Sequence, residues 1–181
     1  MLTISLKEFC LTGRFGPVHL GMNIEDAVKL LGSPDQQGDF NKQFGGITYA
    51  WYEIHYSVAD KSIVGIQNDH LALSLGKKGQ PLAAQHRNAI HFQSDMMQID
   101  KWFLQPGKDF TYAEVIDLLR SDQISFTTSF NEWQGHLIHF PSGVKMDFDL
   151  SDKRRTESDT LRHQPNEDDI EVVLTGIRLF G

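Results

Sequence analysis

A capped amphipathic helix followed by aromatic, alternating strand segments occurs twice in this chain, and that recurrence limits the folds open to it. The first copy centres on Asn23-Ile24-Glu25-Asp26-Ala27-Val28-Lys29-Leu30-Leu31 and the second on Thr111-Tyr112-Ala113-Glu114-Val115-Ile116-Asp117-Leu118-Leu119. Ala27 corresponds to Val115 and the cap residue Asn23 to Thr111, both at a spacing of 88 residues. Further on, Ile54-His55-Tyr56 matches Met146-Asp147-Phe148, and Val64-Gly65-Ile66 matches Thr175-Gly176-Ile177, with insertions between. Helices of about two or three turns are not stable alone in water, so each must dock on a sheet.

The local signals are specific. Asn23 is a good helix cap, with Glu25 and Asp26 in the first turn, where the helix dipole favours negative charge. Ile24, Ala27, Val28 and Leu31 form one apolar stripe, and Gly32-Ser33-Pro34 ends it. Residues 44–58 are aromatic and β-branched and read as strand or hairpin, with Tyr52, Ile54 and Tyr56 on one face and Trp51, Glu53 and His55 on the other. Ala59-Asp60-Lys61 is the turn into a strand over 62–67. Thr111 with Glu114 makes a capping box. Strands are expected over 124–130, 136–140, 144–150 and 171–179, and the alternation of Val144, Met146 and Phe148 with Lys145, Asp147 and Asp149 is the clearest of them. Leu71, Leu73 and Leu75 suggest a further strand, Gly76–Pro81 a turn, and 151–169 a polar loop. Leu2, Ile4 and Leu6 suit an edge strand or a helix start.

These signals predict an α+β protein of two tandem similar units, each a short helix packed on an antiparallel β-meander. Residues 1–100 hold the first unit with a connector, and 101–181 the second with the polar loop. The helices would cover one sheet face.

Composition narrows the function classes. The formal net charge of −7 argues against a non-specific nucleic-acid binder, which needs Lys and Arg to displace counterions, and suits a basic protein partner. One cysteine, Cys10, allows no internal disulfide and no cysteine zinc cluster. The first residues do not read as a signal peptide and no apolar run reaches membrane-spanning length, so a cytoplasmic location and no membrane partner are expected.

Gly16-Pro17-Val18-His19-Leu20-Gly21-Met22-Asn23, followed by Val28-x-x-Leu31-Gly32-Ser33-Pro34, resembles the helix opening of small bacterial proteins of the SmpA/BamE type. It is also similar to the tandem units of β-lactamase inhibitor protein and to immunity proteins encoded beside bacterial toxins. The likeness spans roughly residues 13–67, with a weaker echo over 107–180. It implies a helix-on-sheet tandem and a non-enzymatic binding role, and it carries over no catalytic residue.

No residue constellation names a reaction. His136 and His139 fall on opposite strand faces, and no H-E-x-x-H or similar zinc spacing occurs. Glu167, Asp168 and Asp169 lack the alternation of a calcium loop. No G-x-S-x-G elbow or P-loop is present. Neither a cofactor nor a metal is therefore expected. Tryptophans are common at interface hot spots: Trp51 is expected on the exposed face, Trp102 in packing between the halves and Trp133 at a turn. Asp147 and Asp149 suit a solvated strand face. The partner-binding surface expected from this pattern comprises Trp51, Glu53, His55, Lys145, Asp147, Asp149 and Arg178. The alternative is an enzyme or small-ligand-binding protein with a pocket between the units, using Asp147, His139 and His55.

Overall fold

The computed structural model describes residues 1–72, 90–131, 135–150 and 172–181. The strand expected around Leu73 and Leu75, the turn at 76–81, Trp133 and the polar loop at 151–169 lie outside the described residues.

The chain begins with β1 (Leu2–Ser5), which leads directly into helix α1 (Leu6–Thr12). Ser5 Oγ accepts the Glu8 N–H, and Gly13, at φ +71°, ends the helix. Both readings of the N-terminal segment are thus realised in succession. Helix α2 (Ile24–Leu31) carries the Asn23 cap, whose side chain accepts the Glu25 N–H, and Gly32 ends it by donating to the Val28 carbonyl. Four strands follow: β2 (Gln36–Asp39), β3 (Phe44–Tyr49), β4 (Tyr52–Ser57) and β5 (Ile63–Asn68). After the connector come β6 (Met97–Asp100), helix α3 (Tyr112–Ser121), β7 (Thr127–Asn131), β8 (Gly135–His139), β9 (Lys145–Leu150) and β10 (Val172–Phe180). In α3, Thr111 and Glu114 form the full capping box.

The structure is α+β. Eight strands form one antiparallel sheet in the order β2-β3-β4-β5-β10-β9-β8-β7, and β1 pairs with β6 in a separate two-stranded parallel sheet. Strands β2–β5 and β7–β10 are two consecutive runs. They meet where β5 pairs with β10, Gln67 opposite Arg178 and Gly65 opposite Phe180. Two elements have no counterpart in the sequence reading. The edge strand β2 is exposed at every residue and has no apolar alternation, and the β1–β6 pairing joins segments more than 90 residues apart. The strand expected over 124–130 is shorter, because Ile124 still donates back to the Leu119 carbonyl at the end of α3.

One face of the large sheet is apolar. Ile47, Ile54, Ile66, Met146, Phe148 and Ile177 lie there in a single buried cluster with Phe9 of α1, Ile24, Ala27 and Leu31 of α2, and Val115 and Leu119 of α3. Hydrogen bonds tie the helices to this face. Tyr49 Oη donates to the Gly32 carbonyl that ends α2 (2.7 Å), and Ser142 Oγ donates to the Cys10 carbonyl in α1 (2.6 Å). Tyr112, at the start of α3, packs edge-on against Phe148. A cavity of about 10 Å³ remains on this side, lined in part by Leu6, Phe9, Phe15 and Tyr52, with room for about one water. Cys10 is fully buried, and burial pushes its thiol pKa far up, as suits an inert core residue.

Candidate functional site

Directly opposed residues of an antiparallel pair share a face, so the register shows what the second face presents. One transverse row crosses all eight strands: Gln36, Thr48, Glu53, Gln67, Arg178, Lys145, His139 and Thr127. Every member is polar. Within it, Gln67 Nε2 donates to Glu53 Oε2 (2.8 Å). His139 Nε2 lies 2.7 Å from Ser129 Oγ.

The neighbouring row is built differently. It runs Gly38, Gly46, His55, Gly65 and Phe180. A Cβ at Gly46 would meet the Phe40 ring, and one at Gly65 would collide with the Phe180 ring. Both aromatic rings therefore lie directly on glycine backbone. The His55 ring sits between them, with centroids 5.6 Å from Phe40 and 5.8 Å from Phe180. Phe40 is 63% exposed and Phe180 50%. The result is an aromatic ledge, open to solvent, beside the polar row.

On the other side of the polar row lies Asp147, opposite Leu137. Here the structure departs from the expected solvated strand face: Asp147 is only 5% exposed. Arg178 Nε donates to its Oδ2, and Thr175 Oγ1 donates to its backbone carbonyl (3.1 Å). The β10 irregularity between Leu174 and Gly176 makes room for this arrangement. A Cβ at Gly176 would stand 3.5 Å from Asp147 Oδ2 and 3.3 Å from the Asp69 Cα. Asp147 Oδ1 is buried and makes no hydrogen bond. A buried carboxylate with one cation as partner is structural in character, because removing that cation leaves an uncompensated charge.

Compared with known protein families, curated proteins and solved structures, the chain matches none.

The expected surface residues divide into three groups. Glu53, His55, Lys145 and Arg178 share the two rows. Asp147 and Asp149 belong to the same face, the first as the buried partner of Arg178. Trp51 is not on a strand: with Ala50, at φ +51°, it forms the two-residue loop joining β3 to β4, and its ring stacks edge-on against His70 at 4.1 Å. His55 and Asp147, proposed to share a pocket, lie on opposite sides of the polar row and three strands apart on β4 and β9, more than about 14 Å at ordinary strand spacing. His136 faces the other way, against Tyr112, while His139 is on the polar face, so the two histidines diverge as the strand period requires.

Sequence reasoning missed Phe40, Phe180, Asp69 and His70. Phe40 follows a strand with no periodic signal, and Asp69 and His70 lie just past the end of β5. The glycines at 46 and 65 were the available clue, since a glycine inside a strand marks close approach of another group.

Glu53, in the polar row, is perturbed by its neighbours. His55 beside it is the main influence holding its carboxyl below the ordinary value; burial opposes this and the Gln67 amide adds to it. Glu53 Oε2 is 3.2 Å from His55 Nε2, yet Nε2 has no aligned hydrogen-bond partner.

Proposed function

We propose that this chain is a non-enzymatic protein-binding module, an immunity or inhibitor protein that neutralises a bacterial toxin in the cytoplasm by covering it with the sheet face away from the helices. The observation that carries the reading is the aromatic ledge. Two phenylalanines held in water on glycine backbone, with a polar row beside them, have the make-up of an interface centre and its rim. Exposed aromatic surface of this kind is unfavourable in a free protein and marks a contact site. The net charge of −7 favours a basic partner, since opposite fields speed encounter.

The same reading takes the chain as two similar helix-plus-meander units, in residues 1–100 and 101–181, that join their last strands. Its support is positional. Ile54 and Met146, matched by sequence, lie on the third strand of their runs, and Gly65 and Gly176 on the fourth. The seam then places the fourth strand of each unit at the middle of one continuous face, where Gln67 meets Arg178.

Affinity purification with quantitative mass spectrometry tests the proposal. The wild-type chain and Leu30→Ala, an exposed position on α2, should retain a common protein that the Phe40→Ala/Phe180→Ala double variant loses. Expression of that protein should arrest growth unless the wild-type chain accompanies it. Equal recovery with all three chains, or a recovered protein without toxicity, would count against the assignment.

A further inference from the structure

Just beyond the strand ends, on the second face, three metal-ligand types converge. One ligand atom each from Glu53, Asp69 and His70 lies within 4.8 Å of the other two. Two strands and a turn produce this arrangement. Glu53 of β4 is paired with Gln67 of β5, and the chain runs on from Gln67 to Asp69 and His70. Asn68 Oδ1 accepts the His70 N–H (3.0 Å), which turns the backbone back toward the sheet. Gly176, lacking a Cβ, lets β10 close against Asp69.

One donor separation has a particular size: Asp69 Oδ1 is 3.3 Å from His70 Nε2. Bonds of about 2.0–2.1 Å to a tetrahedral ion put neighbouring ligand atoms about 3.3 Å apart.

We propose that Glu53, Asp69 and His70 form a site for a divalent transition-metal ion of the zinc class, with water completing its coordination. An imidazole with two carboxylates suits zinc, nickel or cobalt better than calcium or magnesium, which take oxygen ligands. The two carboxylates balance the ion's charge. Side-chain rotation closes the 4.8 Å spread to tetrahedral size, because Asp69 and His70 are about half exposed.

Trp51 provides a built-in reporter, since its ring lies 4.1 Å from His70. Isothermal titration of the full chain with zinc chloride should show one equivalent bound. His70→Ala and Glu53→Gln should each weaken binding at least about 10-fold, while His91→Ala, an exposed histidine elsewhere, leaves it unchanged. Nickel(II) should quench the wild-type fluorescence more than that of Trp51→Phe. Wild-type affinity in either His70→Ala or Glu53→Gln, equal quenching in Trp51→Phe, or no zinc binding by wild type up to about 1 mM would overturn the site.

Discussion

Gly46 and Gly65 set the height of the aromatic ledge, because nothing larger than hydrogen fits beneath Phe40 and Phe180. Gly65→Ala therefore has two opposed effects on stability. Alanine loses less chain entropy on folding than glycine, whereas the Phe180 ring must lift off the sheet. That ring is half exposed and can move, so the net change should stay within about 1 kcal/mol, read by urea denaturation. Partner affinity should fall about 10-fold in the same variant, the equivalent of roughly 1.4 kcal/mol; unchanged affinity would show that ring height is irrelevant to binding. Ala50 is the reverse case. It holds φ +51° in the β3–β4 loop, a conformation unfavourable for any residue with a Cβ, so Ala50→Gly should raise the melting temperature. Glu53 makes acid stability depend on its neighbours. A carboxyl held low in the folded state contributes stability above its unfolded pKa, and that contribution is lost as pH falls through the lowered folded value. For Glu53, depressed chiefly by His55 from an ordinary value of 4.5, the loss develops below pH 4.5. Denaturation of wild type and Glu53→Gln across the acid range should show the wild type's advantage shrinking as pH drops. A constant gap would mean the His55 contact does not persist in solution.

Among the elements, the helices rest on their first turns. Thr111 accepts the Glu114 N–H while the Glu114 carboxylate accepts the Thr111 N–H, so Thr111→Ala should cost about 1 kcal/mol, measured by chemical denaturation with an unchanged m-value. These features were legible in the sequence because a cap and a stripe are local: Asn23, Gly32 and Thr111 act on residues within four positions. The alternation of Met146 and Phe148 with Lys145, Asp147 and Asp149 was legible for the same reason, and it assigned the two sheet faces correctly. Three features were not legible, and each depends on distant chain. Asp147 reads as a solvent-facing strand residue until β10 brings Arg178 across it. Strand β2 has no apolar alternation and exists only because β3 offers it backbone partners. The β1–β6 pair depends on where the connector returns. Asp69 and His70 illustrate the limit for the candidate metal site, since no spacing rule links them to Glu53 and only the β4–β5 register does.

At the scale of the molecule, a single buried cluster draws on α1, α2 and α3 and on strands of both runs. Residues 1–100 expressed alone would present the β5 edge, from Ile63 to Asn68, without the β10 partner it has in the full chain. Such an edge recruits other strands. This fragment should self-associate or lack a cooperative melt, as checked by light scattering and calorimetry; a monomer with a sharp two-state transition would show that the first run is self-sufficient. The order of the strands also has a consequence for the chain as it is made. About 100 residues separate the end of β5 from the start of β10, and at 5–20 residues per second their synthesis takes on the order of 5–20 s. During that interval the strand destined for the middle of the sheet is an outer one. Of the sheet's eight strands the ribosome thus delivers β10, the partner of β5, last, and the small residues and amides along β5, Gly65, Gln67 and Asn68, hold an unfinished edge that a more apolar sequence would offer to neighbouring chains.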